Sequence, residues 1–135
     1  MRAAARDFWA RAVDALRVAE NDLDLSPDAA ASRAYYSAFY AASAHFALGG
    51  RSFARHSALE AAVHRGLVKA GIWDTDMGRG YSRLAQLRTR GDYGGGRHVS
   101  REEGAEAIRI ASRILSKISD AHPGDLSPQP PDAPA

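Results

Sequence analysis

The sequence predicts an all-α protein, an antiparallel up-and-down bundle of four to five helices. Three observations carry that expectation. No run alternates Val, Ile or Thr as a half-buried strand does. Apolar residues instead recur at helical spacing, and helix start signals stand in front of several such runs. The chain of 135 residues, 45% apolar and 25% charged, is long enough for one domain with a single core.

The first helix is expected from about Ala4 to Asn21, with Phe8, Ala12, Ala15, Leu16 and Ala19 on its apolar side. After a polar turn over residues 21–25, Ser26-Pro27-Asp28 supplies an N-cap, a proline at the first helical position and an acid facing the helix dipole. The second helix runs to about Leu48 and is ended by Gly49-Gly50. Ser57 and Glu60 fit a capping box and open a third helix that stops at Ala70-Gly71. A fourth begins near Asp74–Asp76 and ends at Gly91. Ser100 and Glu103 form a second capping-box pattern, with Val99 as staple, and the fifth helix reaches about Asp120 with Ile108, Ala111, Leu115 and Ile118 on one face. Residues 1–121 are read as the helical domain. Residues 122–135 hold five of the six prolines and are read as a disordered tail.

Composition excludes several chemistries. With no cysteine, disulfides, thiolate zinc sites, iron–sulfur clusters and cysteine nucleophiles are ruled out. The five histidines have no metal-site spacing, so neither metal nor cofactor is expected. Gly94-Gly95-Gly96 is a weak phosphate-cradle signal that a linker explains equally well. The stretch 34–50 is too short and polar to span a membrane, and the first residues lack a signal peptide's apolar segment, so a soluble cytoplasmic protein is expected. Net charge is +2, but the interval Arg79–Arg101 holds six arginines and one acid, Asp92. That edge is either a phosphate-attracting patch or a solvated face.

Two helices break the simple amphipathic pattern. In the fourth, Met77, Tyr81, Leu84 and Leu87 share an apolar sector while Arg79, Arg83 and Arg90 point the other way and read as solvated. Arg88 falls inside the apolar sector, where a guanidinium needs partners. Asp92, four residues on, is its local candidate. Either the two form a structural tie, or Arg88 faces a ligand. The second helix carries two apolar stripes, so it is either the central helix or part of a subunit interface. Arg33 lies within reach of Tyr36 and Tyr40 for guanidinium–aromatic contact.

Several segments together resemble small bacterial HEPN domains (higher eukaryotes and prokaryotes nucleotide-binding). Ser32-Arg33-Ala-Tyr35-Tyr36-Ser-Ala-Phe39-Tyr40 is similar to their second-helix signature, and His56-Ser57-Ala-Leu59 to the start of their third helix. Leu87-Arg88-Thr-Arg-Gly-Asp92-Tyr93-Gly94 is similar to their LRxxxDYG segment, and Val99-Ser100-Arg-Glu-Glu103 to the start of their last helix. The resemblance spans roughly residues 5–120. It implies an antiparallel homodimer, often paired with a minimal nucleotidyltransferase in a toxin–antitoxin or defence module.

Many such proteins are metal-independent ribonucleases using Arg and His spaced R-x4-6-H. Here Arg88 matches the arginine, but Asp92-Tyr93 stands where the histidine belongs. Arg51–His56 fits the spacing but lies between the second and third helices, where chance matches are expected. The expected site is therefore a cleft with Arg88 and Asp92 as catalytic candidates, and with Arg88, Tyr93, Arg33 and Tyr36 binding nucleotide or RNA. Two alternatives stay open: a ribonuclease with a degenerate site, and a non-catalytic adaptor for the nucleotidyltransferase.

Overall fold

The computed structural model describes residues 2–93 and 97–127. Five α-helices follow in order: α1 (Arg2–Asp22), α2 (Pro27–Leu48), α3 (His56–Val63), α4 (Thr75–Tyr93) and α5 (Arg101–Ala121). A π-helical turn, His64–Val68, continues α3. No strand occurs among the described residues, so the chain is an all-α helical bundle. The glycine run 94–96 and the tail residues 128–135 lie outside the described residues.

The central element is α2, packed by α1, α4 and α5. Its sequence explains the position: Ala30, Ala31, Ala34, Ala38, Ala41, Ala42 and Ala44 are all fully buried, so apolar surface wraps most of the helix. Alanines meet alanines where Ala5, Ala12 and Ala19 of α1 are equally buried. Small side chains let the two backbones approach closely. The Ser37 hydroxyl, fully buried, donates across this seam to the Ala12 carbonyl at 2.7 Å. Leu84, Leu87, Ile114 and Ile118 close the other side.

Local start signals act as expected at two helices. Ser26 Oγ accepts from the Ala29 N–H at 3.2 Å, and Ser100 with Glu103 forms the full capping box. Val99 beside it is 4% exposed. The third helix differs from expectation. Its N-cap is Arg55 rather than Ser57, so the helix begins at His56, and no side chain caps it. Glu60 instead accepts the Ser82 hydroxyl of α4 at 3.0 Å. A tertiary partner thus wins over the local box, and the helix then widens into the π-turn. Left-handed backbone occurs at Gly50 (φ 79) and Gly71 (φ 83), which reverse the chain after α2 and after the π-turn.

Residues 122–127, the start of the segment read as a tail, fold back on α1. Leu126 is fully buried, the Trp9 indole N–H donates to the Ser127 carbonyl at 2.6 Å, and Arg2 meets Asp125 at 3.2 Å. One leucine among prolines offers too little periodicity to announce that contact. No helix among the described residues is long and apolar enough to cross a membrane.

Candidate functional site

Arg88 leaves α4 on the side that faces α2, and its side chain is only 17% exposed. The guanidinium carbon stands 5.0 Å from the Tyr35 ring centre and 5.8 Å from that of Tyr36. These two rings meet edge to face at 5.2 Å. The aromatic faces supply the negative side of a quadrupole and stabilise the cation in a place of low water content. Asp92, one turn on, receives a bond from Nη1 at 3.4 Å, a long contact. Arg88 Nε is buried and has no hydrogen-bond partner.

Electrostatics agree with this geometry. Burial pulls the Arg88 pKa down, yet the phenols of Tyr36, Tyr35 and Tyr93 and the Asp92 carboxylate outweigh it and raise it above the ordinary arginine value. Arg88 therefore stays charged at every relevant pH. Burial pushes the Tyr35 phenol up, and that of Tyr81 well up. Both remain neutral hydroxyls near neutrality.

Arg33 lies 4.8 Å from the Tyr36 ring, so Tyr36 has a guanidinium from each of two helices within 6 Å. Tyr93 is 73% exposed and marks the outer edge of the group. All five residues singled out from the sequence, Arg33, Tyr36, Arg88, Asp92 and Tyr93, are placed by α2 and by the last turns of α4. Two recesses of about 420 Å³ and 380 Å³ are lined by other residues, among them His64, Arg79 and Ser82 in the first and Trp9 and Val13 in the second. The Arg88 group belongs to neither.

One residue of the site escaped sequence reasoning. His56, at the start of α3, packs its ring 5.6 Å from Tyr35, 5.6 Å from Tyr36 and 4.6 Å from Phe39. Burial lowers its pKa, and the Arg88 charge lowers it further. Its nearness to Arg88 comes from tertiary structure, whereas Arg51, five residues before it, lies over the Phe46 and Phe53 rings. Among the described residues no three His, Asp or Glu side chains converge as metal ligands.

Of the three arginines expected to be solvated, Arg79 is, while Arg83 and Arg90 are not. Arg83 bonds Glu106 at 3.1 Å and Glu103 at 3.4 Å, and Arg90 bonds Glu103 at 2.7 Å. Arg79, paired with Asp76 at 3.5 Å, and Arg101, paired with Asp24 at 2.7 Å, stay mostly exposed. The helical wheel of α4 missed the pairing of Arg83 and Arg90 because their carboxylates come from α5. Glu103 carries the imprint: the Ser100 backbone N–H and then Arg90 hold its pKa at about 2. Arg83 and Arg90 are therefore neutralised by α5, and Arg88 differs from them in having an aromatic bed and one distant carboxylate.

The sequence that builds this site has counterparts in known proteins. A family model described as HEPN domain matches residues 5–121. A "UPF0332 protein" of Thermotoga maritima is 37% identical over 89 residues, which is 66% of this chain and 67% of that protein. The family match covers all the residues of the Arg88 group and all of the helices but the first three residues of α1, and the chain belongs to the HEPN domain family.

Proposed function

We propose that this protein binds the phosphate of a nucleotide or of RNA at Arg88, with Tyr36 and Tyr93 as stacking surfaces and Arg33 as a second cation. The observation that carries the reading is a desolvated guanidinium whose Nε has no acceptor and whose carboxylate stands 3.4 Å away. Such a cation gains more from a phosphate than a solvated surface arginine does. Membership of the HEPN family supports a nucleotide- or RNA-related role. In this reading the protein works in the bacterial cytoplasm, as a homodimer in a toxin–antitoxin or defence module beside a minimal nucleotidyltransferase. Titration of a fluorescent nucleotide or RNA against wild type and Arg88→Ala tests it. Equal affinities remove the site from consideration.

A second reading, metal-independent RNA cleavage, is favoured by His56. A neutral imidazole beside Arg88 is suited to accept the proton of a ribose 2′-hydroxyl while Arg88 steadies the charge gathering on the phosphate. The 2′-oxygen attacks phosphorus, the bond to the 5′-oxygen breaks, and the departing oxygen takes a proton from water. Asp92, which accepts from Arg88 Nη1 at 3.4 Å, serves to hold the guanidinium in place. The test is incubation of single-stranded RNA with a chelator present. Intact RNA rejects cleavage, and cleavage that survives His56→Ala rejects the role of His56.

A further inference from the structure

The ring surface that begins at Tyr35 and Tyr36 continues beyond any residue assigned above. One turn along α2, Tyr40 lies 6.1 Å from Tyr36. Tyr40 in turn faces Phe8 of α1 at 6.5 Å, with planes within 23° of parallel. Tyr36, Phe39, Tyr40 and Phe8 are each half-buried, packed on the core yet open in part to solvent. The row has cations at both ends. Arg33 and Arg88 flank Tyr36. Arg11 stands between the Asp7 carboxylate, at 3.1 Å, and the Tyr40 phenol at the far end.

We infer that this row is a track for single-stranded nucleic acid, reaching from Arg88 to Arg11 with Tyr36, Tyr40 and Phe8 as successive base platforms. The inference rests on the Arg88 phosphate reading and adds the ligand's class: a strand of several nucleotides, not a mononucleotide. Rings spaced along a cationic edge suit bases that are out of a duplex, because paired bases hide the faces these rings would cover. Charge favours a polyanion over a protein partner. Three guanidinium groups border the row, and the acids beside them are Asp92 at 3.4 Å from Arg88 and the exposed Asp7. Each phosphate taken up by an arginine releases counterions, so the far end of the row has its own salt signature.

The experiment compares fluorescence titrations of a labelled adenosine tetranucleotide, as RNA and as DNA, with a labelled AMP. The proteins are wild type, Tyr40→Leu, Arg11→Gln and Arg88→Ala. Tyr40→Leu keeps an apolar group against the core, and Arg11 is on the surface, so both variants should fold, which circular dichroism checks. The expected result is that Tyr40→Leu weakens the tetranucleotide about tenfold, the loss of one stacked base. Arg11→Gln should lower the salt slope by about 0.7. AMP affinity stays unchanged in both, whereas Arg88→Ala weakens both ligands. Preference for the RNA or the DNA strand assigns the natural form. Equal loss of AMP and tetranucleotide in Tyr40→Leu, or no loss of either, overturns the track while leaving Arg88 intact. A changed sedimentation coefficient in Tyr40→Leu also overturns it, by making the row a contact between copies. Failure of wild type to bind either ligand overturns the Arg88 reading itself.

Discussion

The backbone N–H of Val99 donates to the Asp28 carboxylate at 2.7 Å, tying the approach to α5 to the first turn of α2. The other carboxylate oxygen meets His98 Nδ1, also at 2.7 Å. Burial works to raise the Asp28 pKa, but these two partners and Arg90 hold it below the ordinary aspartate value. The acid that seemed only to complement a helix dipole therefore fixes the segment that follows the Arg88 turn. Asp28→Ala should lower stability by about 1–3 kcal/mol, the cost of leaving a buried N–H unpaired. Urea melts check it, and an unchanged midpoint would sink the assignment.

Gly91 is packed against the same residue. A Cβ on it would stand 2.8 Å from the Asp28 carbonyl oxygen, which is backbone and cannot swing aside. Gly91→Ala should cost about 1–3 kcal/mol through forced separation of α4 from α2. It should also disturb Asp92 and Tyr93, visible as shifted amide resonances beside Arg88. A melt identical to wild type would show that the contact yields freely.

Acid should loosen the fold in two stages. Burial and the neighbouring His122 hold the His45 pKa below its ordinary value, with the two rings sharing a 2.9 Å contact. A depressed folded pKa means the unfolded chain binds the proton first. Its contribution is complete above about pH 6.5 and declines as pH falls from there through the folded value. Melting temperatures of His45→Gln between pH 7.5 and 5.5 should vary less steeply than those of wild type. The second stage belongs to Glu103, whose contribution is present above about pH 4.5 and is lost as pH falls towards its folded pKa of about 2. Glu103→Gln should flatten the acid limb in that lower window only.

Stability and binding should separate at Arg88. Arg88→Met keeps a chain of similar length beside the Tyr35 ring but removes a charge from a largely buried position. Its stability should stay within about 1 kcal/mol of wild type, because replacing a buried cation by an apolar group is often neutral. Phosphate binding should be lost. A large fall in melting temperature would instead make the Arg88–Asp92 pair a structural tie.

Much of the fold was legible in the sequence because its signals are local. Ser26, Ser100 and Glu103 cap as their neighbours dictate, and the misplacement of Arg88 follows from the wheel of α4 alone. What was hidden depends on other helices. Ser57 and Glu60 satisfy a capping pattern, but Ser82 claims Glu60. Arg83 and Arg90 look solvated until α5 brings up Glu103 and Glu106. His56 joins the Arg88 group only because α3 packs beside α2, a juxtaposition no spacing rule encodes. Leu126 is a single buried residue in a proline-rich stretch, and periodicity cannot detect one residue.

The methyl-against-methyl contact of α1 with α2 constrains how this lineage can drift. At Ala12, Ala34 and Ala38, fully enclosed by neighbouring backbone and side chains, the tolerated alphabet is set by volume: glycine, alanine and serine fit, and valine does not. Relatives should therefore preserve bulk at these positions even where polarity wanders. The first pair of helices is thereby the part of the bundle least able to take on added volume.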